Sequence, residues 1–451
     1  MVRVYQLGAT VGTDCEPHLP VRYNSRWGGG TVIVEEHEIL VSPRLLALER
    51  QLAAGGHDAL ESFWRRVGGH GAPLIETTRH GEHPILVTFL WRAGDVEDVV
   101  LVGGLAGWTV AGNRMTRLPG TDLWYKTYRT WSPAPAAFRL LPGAVLEQDW
   151  SAAGAHGASS AWRPNDLEVF TYAFPVRSEA TDIKQVLLAM VKLPDAPPQP
   201  WITPAPGSPV GQVTLHYLHS AILGNSRHIW VYTPPGYAMD GGPHDVLIQF
   251  DGMTYTDQVS VPTVLDNLQY EGRIAPTVAV LIDNIDHETR MREFGCHVPF
   301  VSFLTDELLP WVRKHYSIAT EPSRTTVSGS SMGGLAAAFA GLERPDVFGK
   351  VLSQSGSFWW KPDGEREHEW LARRVVESPL LPLRFYLEVG VHEQVSSPDS
   401  GPTQVVVNRH MRDVLRAKGY PVHYSEFEGG HDWACWRDTL HSGIIALNGR
   451  D

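Results

Sequence analysis

The stretch from Thr326 to Ala336 carries a serine in a setting suited to nucleophilic chemistry. It reads as a β-branched strand, a tight turn with the pattern Gly-x-Ser-x-Gly, and an alanine-rich helix. A serine on such a sharp turn is exposed above the sheet, and Gly329 and Gly333 remove side chains that would block the turn. Ser331 would also begin a helix, where free N–H groups and the helix dipole favour the negative charge of an acyl-transfer oxyanion. The pattern predicts that Ser331 is a nucleophile rather than part of an ordinary Gly/Ser loop.

A serine nucleophile needs a general base, and His431 is placed to act as one. It lies within Glu-Gly-Gly-His-Asp, after the last clear strand and before the closing helix. Reactive groups in α/β sheets lie beyond the carboxyl ends of the strands. His431 would take the proton of Ser331 and return it to the leaving alcohol. The alternative is a surface loop histidine, one of the 20 histidines of the chain.

Glu393 is the predicted third member of the group, because it follows the strand that ends at Val389. The resulting chain order of serine, acid and histidine is the one expected for an α/β-hydrolase. The acid would fix the imidazole tautomer and stabilise its charged form. Glu388 is a weaker candidate because it lies within the strand at an odd offset from the loop, and Asp399 is a substitute. A solvated loop carboxylate at 393, leaving only a serine–histidine pair, is the remaining alternative.

The oxyanion of an acyl-transfer intermediate needs two N–H donors. The amide of Met332, the residue after the nucleophile, is the first candidate. The second comes from an earlier strand-end loop, where Asp251-Gly252-Met253 follows a buried strand. Gly252 allows close backbone approach, so the amide of Gly252 or Met253 is expected to point inward. The alternative is an ordinary turn glycine.

Charged and aromatic residues after other strands are candidates for substrate contact. Residues 286–293 are polar and directly follow a buried strand, so Arg290 or Arg292 is expected to bind an anionic or phenolic oxygen. Pairing between Arg290 and Glu293 on the loop is an equal alternative. The pair Trp359-Trp360 follows the strand after the nucleophile helix. It would form either an aromatic wall of the site or part of the core.

The elements that must position these residues alternate between strands and helices after residue 211. Apolar strands are predicted at 211–218, 227–233, 246–250, 277–282, 324–328, 351–354, 383–389 and 422–427. Besides the helix after Ser331, helical patterns cover 303–315, 403–418 and 433–447. Apolar strands alternating with helices predict an α/β fold with a mostly parallel sheet covered on both faces.

The first half of the chain has a different pattern of predicted elements. Helical patterns begin at Ser42, which precedes Pro43 as a capping residue does, and at His57, with a stop expected at Gly68-Gly69. Short β runs with Gly/Pro punctuation then predict a β-sandwich. These runs lie at 84–91, 99–102, 124–128, 138–141 and 170–174.

The predicted domain organisation follows from these changes in the pattern of helices and strands. It comprises an N-terminal extension at 1–35, a first domain at 36–193, a proline-rich linker at 194–211 and a catalytic domain at 212–451. The linker is the clearest boundary, because prolines remove ladder donors and stiffen the chain.

Composition limits the classes of partner and cofactor. The 451 residues carry a net charge of −12 and an isoelectric point near 5.9, which argues against general binding to nucleic acid or to an anionic membrane. No window approaches 18 continuous apolar residues, and the N-terminus lacks the apolar run of a signal peptide. The 3 cysteines make no disulfide scaffold, and no His/Asp/Glu cluster has metal-ligand spacing. We therefore expect a cytoplasmic enzyme without a cofactor; the sequence sets no oligomeric state.

These residues resemble the enterochelin (ferric enterobactin) esterase family over most of the chain. The likeness is closest at 223–236, 281–286, 329–335, 351–360 and 429–437. The region 83–210 resembles the family's N-terminal immunoglobulin-like domain, with the same Val-Thr-Phe-Leu-Trp opening. The resemblance implies an α/β-hydrolase catalytic domain preceded by an immunoglobulin-like β-sandwich domain that covers the mouth of the site.

The resemblance also implies a function. The family's enzymes open the trilactone of a catecholate siderophore in the cytoplasm so that iron is released, and iron enters only as part of the substrate. The family's serine falls on Ser331, its histidine on His431, its glutamate on Glu393 and its loop arginine on Arg290. If Arg290 contacts a catecholate, an Arg290→Ala variant is expected to raise KM more than it lowers turnover.

Departures from the family bear on the substrate. Met253 and Tyr255 stand where the family usually has glutamine and tryptophan after the Asp-Gly turn, and Tyr255 is a further candidate for substrate contact. Residues 147–150 replace the family's Asp-Pro-Leu-Asn stretch. Another macrolactone, a depsipeptide or a carbohydrate-linked acyl ester therefore stays open as substrate, and acyl transfer as reaction. A non-catalytic binder is the third hypothesis, and an intact Ser331 and His431 argue against it.

Overall fold

The structure is a computed structural model. It describes residues 41–70, 72–77, 85–94, 96–103, 113–130, 136–142, 167–175, 183–191, 198–394 and 401–450. The predicted extension at 1–35, the departure at 147–150 and the alternative acid Asp399 lie outside the described residues.

Two helices and two antiparallel sheets occupy the described residues between 41 and 191. The helices are α1 (Pro43–Ala53) and α2 (Ala59–His70). The strands are β1 (Leu74–Thr77), β2 (Ile85–Arg92), β3 (Val99–Gly103), β4 (Thr116–Arg117), β5 (Leu123–Thr130), β6 (Ala136–Pro142), β7 (Leu167–Pro175) and β8 (Ile183–Val191). One sheet has the order β1-β2-β5-β4 and the other β3-β6-β8-β7.

Alternate residues of β2 enter two different cores, because successive side chains of a strand point to opposite faces. Val87, Phe89 and Trp91 cluster with Val99 of the second sheet. Leu90 instead clusters with residues of α1 and α2. The sheet that contains β2 therefore carries helices on one face and contacts the second sheet with the other.

The predicted start of α1 is confirmed, since the Ser42 hydroxyl accepts a hydrogen bond from the Leu45 amide at 3.3 Å. The predicted stop of α2 at Gly68-Gly69 was wrong, because the helix continues to His70. Phe63 and Val67 of α2 are buried in the core shared with α1. This packing outweighs the cost of about 1 kcal/mol that each glycine imposes on a helix. The three strands β1, β4 and β8 were not predicted.

Residues 212–427 contribute eight described strands to one larger sheet. They are β9 (Gln212–Ser220), β10 (Asn225–Thr233), β11 (Asp245–Gln249), β12 (Thr277–Ile282), β13 (Thr325–Ser330), β14 (Lys350–Gln354), β15 (Arg384–Gly390) and β16 (Val422–Phe427). Their order is β16-β15-β14-β13-β11-β12-β10-β9. The strands from β16 to β12 are parallel, and β10 and β9 are antiparallel. The predicted mostly parallel α/β sheet is confirmed.

Helices connect and cover these strands. They are α3 (Gly252–Asp257), α4 (Val261–Tyr270), α5 (His287–Phe294), α6 (Val298–Ser302), α7 (Leu309–His315), α8 (Met332–Glu343), α9 (Trp370–Glu377), α10 (Gln404–Lys418) and α11 (Trp433–Asn448). A wider helical turn at Phe303–Leu308 precedes α7, so the predicted helix at 303–315 is confirmed with a change of pitch. Within the described part of the chain, no helix is long and apolar enough to cross a membrane.

Each face of the larger sheet has its own core. Val246 and Ile248 of β11 enter one cluster, whereas Leu247 between them enters the other. Strands β12, β13 and β14 are buried along their whole length. Burial on both faces is typical of parallel strands flanked by helices. The buried sheet therefore holds the residues at its strand ends in fixed positions.

The strand order reverses at the centre of the sheet, and this places the site. From β11 the chain moves to β12 on one side and later to β13 on the other. Helices leave such neighbouring strands in opposite directions, and a crevice opens beyond their carboxyl ends. Asp251 follows β11 and Ser331 follows β13. Both therefore lie at the crevice.

The described part of the predicted linker is held against the catalytic sheet's helices. The Asn267 side chain on α4 donates to the carbonyls of Trp201 and Thr203, both at 2.9 Å. Its oxygen accepts from the Ala205 amide at 2.9 Å. Residues 198–211 are thus bound along their length and do not act as a loose spacer.

A buried ion pair joins β10 to α5. The Arg227 guanidinium makes two hydrogen bonds of 2.8 Å to the Glu293 carboxylate, and both side chains are at most 2% exposed. Asn225 donates to the same carboxylate and accepts from Arg227. The guanidinium also lies 5.0 Å from the ring centre of Phe303. The Glu293 carboxylate thus accepts three hydrogen bonds, whereas Arg227 Nε has no partner among the described residues. The buried pair ties α5 to the sheet.

Glu293→Ala should lower the free energy of unfolding by about 3–5 kcal/mol, because it leaves a buried guanidinium without its carboxylate. Urea denaturation followed by circular dichroism measures this as a lower midpoint. Arg292→Ala, on the exposed side of the same helix, is the matched control and should change stability by less than about 0.5 kcal/mol. Equal midpoints for the two variants would contradict a stabilising pair.

Candidate active site

Ser331 lies on a strained turn between β13 and α8. Its φ and ψ are 58° and −123°, a backbone conformation that residues with a side chain rarely adopt. The Ser331 amide donates to the Gln354 carbonyl at 2.9 Å, and the Ser331 carbonyl accepts from the Ser357 amide at 2.9 Å. A Cβ at Gly329 would lie 2.5 Å from the Gly333 carbonyl, so the turn closes only around glycine. The predicted strand–turn–helix context is thus present in the structure.

His431 and Glu393 line up with this serine. The His431 Nε2 atom lies 2.8 Å from Ser331 Oγ, and its Nδ1 atom lies 2.6 Å from Glu393 Oε2. The Glu393 side chain is 1% exposed, whereas that of His431 is 29% exposed. The other carboxylate oxygen of Glu393 accepts from the Gly390 amide at 2.7 Å and from the Ser355 hydroxyl at 2.6 Å. The structure therefore brings together the three residues that the chain order predicted.

The loops that carry Glu393 and His431 are joined by backbone hydrogen bonds. The Val391 amide donates to the Phe427 carbonyl at 3.0 Å, and the His392 amide donates to the Gly429 carbonyl at 3.1 Å. The parallel pairing of β15 with β16 thus continues beyond both strands. It brings an acid and a base into register although they lie 38 residues apart.

Glu388, the weaker candidate acid, does not approach His431. It is fully buried on β15, where its carboxylate accepts from Gln354 at 2.7 Å and from the Tyr386 hydroxyl at 2.9 Å. A third donor is the Thr439 hydroxyl. Burial raises the pKa of Glu388 to about 7 despite these donors. This carboxyl is part of the support beneath the serine turn, not its acid.

The N-termini of α3 and α8 provide amides at neighbouring strand ends. Gly252 and Met253 are the first two residues of α3, and Met332 is the first residue of α8. Amides in the first turn of a helix have no acceptor within the helix. A Cβ at Gly252 would lie 2.8 Å from the Ile282 backbone, so glycine lets α3 begin close to β12. These are the amides predicted to receive an oxyanion.

Arg290 is paired with Asp251 at the same place. Its Nε and Nη2 atoms donate to the two oxygens of Asp251 at 2.6 and 2.9 Å. Nη2 also lies 3.4 Å from the Ser330 carbonyl. Asn284 donates to the same carboxylate. The guanidinium therefore connects the end of β11, which carries Gly252, with the end of β13, which carries Ser331.

Comparison with known proteins identifies the family. A family model described as "Putative esterase" matches residues 220–447, and one described as "Enterochelin esterase, N-terminal" matches residues 86–202. The iron(III) enterobactin esterase of Dickeya dadantii is 30% identical over 414 residues, which cover 85% of this chain and 92% of that protein.

The chain belongs to the enterochelin esterase family.

Further relatives agree with this membership. The iron(III) salmochelin esterase of Escherichia coli O6:H1 is 29% identical over 422 residues, covering 90% of this chain and 98% of that one. The crystal structure of the enterobactin esterase from Shigella flexneri in the presence of enterobactin matches with a TM-score of 0.63 and 26% identity. That match covers 86% of this chain and 97% of the Shigella chain.

Two predictions about charged and aromatic contacts were wrong for this member of the enterochelin esterase family. Tyr255, predicted to contact substrate, is fully buried and donates its hydroxyl to Gln354 at 2.7 Å. It lies on the inner face of α3 because that face packs against the sheet. The alternative that Arg290 pairs with Glu293 was also wrong, because Glu293 is bound to Arg227.

Arg292, Trp359 and Trp360 are the other residues that were predicted to contact substrate. Arg292 is exposed on α5, two positions from Arg290 and therefore about 200° around the helix. The two arginines do not face the same side. Trp359 and Trp360 are half-buried, and Trp360 packs edge-on against Trp370 with ring centres 5.8 Å apart. Both rings pack partly against the core, which agrees with the predicted core alternative, and the aromatic wall stays a prediction.

Sequence reasoning missed the residues that support the site. Asp251 was noted only as part of a turn, although its carboxylate organises Arg290 and Asn284. Gln354 was interpreted only as the end of a strand and Ser355 was given no role, yet they hold Ser331 and Glu393. A run of polar residues at the end of a buried strand is the one signal that marked them.

Arg290→Ala should lower kcat by about 10- to 100-fold and leave KM nearly unchanged, because it releases Asp251 and lets the amides of α3 shift. Steady-state kinetics on a simple ester separates the two parameters. Arg290→Lys should recover little, since lysine cannot make the two-pronged contact. An intact kcat on the simple ester, with KM raised only for catecholate esters, would instead leave Arg290 as a direct substrate contact alone.

Glu388 should make stability depend on pH. Its pKa is raised from 4.5 in the unfolded chain to about 7, so the native state holds the proton more tightly. The resulting stabilisation is complete below pH 4.5 and is lost as the pH rises to 7. Glu388→Gln should flatten the fall in unfolding free energy across this window, measured by urea denaturation at each pH. The exposed Glu367→Gln is the control, and an unchanged slope in Glu388→Gln would contradict the assignment.

Proposed function

We propose that this protein is a serine esterase that hydrolyses the ester bonds of a catecholate siderophore trilactone, of the enterobactin type, in its ferric or apo form. The observation that carries the proposal is the alignment of Ser331, His431 and Glu393, with contacts of 2.8 and 2.6 Å. The family membership supports the choice of substrate, because the relatives are named as iron(III) enterobactin and salmochelin esterases.

In the first half of the proposed reaction, Ser331 Oγ attacks a lactone carbonyl. His431 Nε2 takes the hydroxyl proton as the new carbon–oxygen bond forms. Glu393 holds Nδ1–H of the imidazole and stabilises the imidazolium. The ester bond then breaks, and the leaving alkoxide of the substrate receives the proton from Nε2. The product of this half is an acyl ester on Ser331.

Two amides receive the negative charge of the intermediate in this proposal. The Met332 amide lies at the start of α8, and the second donor is the amide of Gly252 or Met253 at the start of α3. Both helix N-termini carry partial positive charge, which favours an oxyanion. The Asp251 carboxylate lies at the same end of α3, and its pairing with Arg290 offsets its charge.

In the second half, a water molecule replaces the alcohol. His431 takes a proton from the water as its oxygen attacks the acyl carbon, and returns a proton to Ser331 Oγ as the acyl–serine bond breaks. The products are a carboxylic acid and the free serine. Repetition on the opened ring would trim a trilactone to its monomers. Iron takes part only as cargo of the substrate, and no resident cofactor belongs to this proposal.

The substrate's catechol rings require an aromatic and cationic surround. We assign the exposed surface of Trp359 and Trp360 as a wall against which a ring packs. The two follow Ser357, whose hydroxyl is 3.3 Å from Ser331 Oγ. Arg290 lies at the opposite side of the serine turn and is 19% exposed. Its charge would attract a phenolate even while it is paired with Asp251.

The described sheets at 74–191 correspond, in this proposal, to an immunoglobulin-like β-sandwich domain. The cluster that joins Val87 and Phe89 of one sheet to Val99 of the other supports it. The match of the N-terminal family model to residues 86–202 supports it as well. Such a domain would cover the mouth of the site. The cytoplasmic location expected from the sequence stays a prediction.

Ser331→Ala should abolish the hydrolysis of enterobactin, with a loss of at least about 1,000-fold in kcat, because it removes the hydroxyl that lies 2.8 Å from His431 Nε2. Ferric and apo enterobactin would be offered to wild type and variant, and the products followed by mass spectrometry. The expected products of wild type are linear trimer, dimer and dihydroxybenzoyl-serine, in that order of appearance.

The same assay separates the alternatives. Feruloyl and acetyl sugars would be offered in parallel, and faster turnover of these would favour an esterase for carbohydrate-linked acyl groups. If the Ser331→Ala variant still cleaves enterobactin, Ser331 is not the nucleophile. No turnover of any ester by wild type, together with quenching of tryptophan fluorescence by the siderophore, would leave a binding protein.

A further inference from the structure

Ser355 lies directly after β14 in a fixed and strained conformation. Its φ is 49°, in the left-handed region, and its side chain is fully buried. Its amide donates to the Glu388 carbonyl at 2.7 Å, and its carbonyl accepts from the Gln404 side chain. Both backbone groups are therefore held, and the direction of the hydroxyl is set by the fold.

The hydroxyl of Ser355 lies between a hydrogen-bond donor, Trp436, and an acceptor, Glu393. Trp436 Nε1 lies 3.0 Å from Ser355 Oγ, and an indole N–H can only donate. The hydroxyl must accept this bond, so its own proton is available for Glu393 Oε1 at 2.6 Å. An ionised carboxylate can only accept. The proton order from Trp436 through Ser355 to Glu393 is thus determined by chemistry and not by a choice of rotamer.

This order fixes which oxygen of Glu393 faces the imidazole. The Ser355 hydroxyl and the Gly390 amide both occupy Oε1. Oε2 is left to contact His431 Nδ1 at 2.6 Å. The indole of Trp436 also packs edge-on against the His431 ring, with ring centres 5.0 Å apart and planes at 86°. One tryptophan therefore restrains both the base and, through Ser355, the acid.

We propose that Ser355 is a positioning residue for catalysis: oriented by Trp436, its hydroxyl holds the Glu393 carboxylate so that it directs the tautomer and angle of His431. The inference rests on the proposed function only in assigning Ser331, His431 and Glu393 to ester hydrolysis. It does not depend on which ester is cleaved. A buried serine that merely satisfies its own hydrogen bonds would affect stability but not the alignment of the imidazole.

The two roles are separated by a pair of substitutions at one position. Ser355→Ala and Ser355→Gly both remove the hydroxyl, but only glycine relieves the left-handed backbone. Stability should therefore differ between them, whereas the loss of kcat should be the same. We expect kcat for p-nitrophenyl acetate to fall by about 10- to 100-fold in both variants, as for a hydrogen bond to a charged group. KM should stay within about twofold of wild type.

Trp436→Phe tests the upstream half of the chain of hydrogen bonds. It removes the indole N–H but keeps a ring beside His431, and should lower kcat by about 3- to 10-fold. Because the N–H acts through Ser355, the same change should cost less in a Ser355→Ala background. Full additivity of the two losses would overturn the proposed order.

Two further measurements on the Ser355 variants do not depend on which ester is the substrate. Labelling of Ser331 by a fluorophosphonate should slow in both Ser355 variants, and the downfield proton signal of His431 Nδ1–H should shift. Ser353→Ala is the matched control, since this buried serine lies two residues earlier, on β14, and its hydroxyl has no partner among the described residues. It should label and turn over as wild type does.

The outcomes distinguish this inference from the proposed function. Wild-type enzyme that labels and cleaves p-nitrophenyl acetate but not enterobactin would overturn the siderophore substrate and leave the role of Ser355 testable. Ser355 variants with wild-type kcat and labelling rate would overturn the inference alone. A loss of kcat that follows stability, larger in the alanine than in the glycine variant, would assign Ser355 a structural role only.

Discussion

The nucleophile turn is the constraint on which the rest of the site depends. Ser331 adopts φ 58° and ψ −123°, at a cost of about 1–3 kcal/mol for a residue with a side chain. The turn persists because Gln354 and Ser357 bind both its backbone groups and because β13 is buried along its whole length. These contacts come from the neighbouring strand β14 and the segment that directly follows it, so the position of the nucleophile is a property of the sheet. The base, the oxyanion amides and the supporting serines are all arranged relative to it.

Two carboxyls near the end of β15 have different tasks because their surroundings differ. Glu388 is enclosed by hydroxyl and amide donors beneath the turn, and burial raises its pKa to about 7. Glu393, five residues later, has one oxygen bound to donors and the other to His431. On the other side of the serine, Asp251 is held by Arg290. Acidic groups thus surround the nucleophile, and each has a defined partner.

Local patterns were sufficient to predict the framework. The β-branched, glycine and alanine-rich stretch at 326–336 predicted β13, the turn and α8, and the order of strand ends predicted where Glu393 and His431 lie. Contacts between distant segments were not predictable in this way. Pairing with Arg290, its near neighbour in sequence, was one of two equal alternatives for Glu293, but it binds Arg227, which is 66 residues away. Tyr255 was expected at the surface because a single sequence does not report which face of a short helix packs inward. Ser355 has no motif, since its role depends on an indole 81 residues later.

The continued pairing of β15 and β16 has a mechanical consequence. Because Val391 and His392 bind the segment that leads to His431, the acid and the base belong to one rigid unit. The nucleophile belongs to another, formed by β13 and β14. The two units meet at the boundary between β14 and β15, and the Ser331–His431 distance of 2.8 Å spans it. Catalytic competence therefore depends on how closely β14 and β15 are held together. Beyond their shared register, the amide and hydroxyl of Ser355 add two hydrogen bonds across that boundary. A mutation far from the crevice that alters the contact between β14 and β15 would therefore lower activity without changing any reactive group.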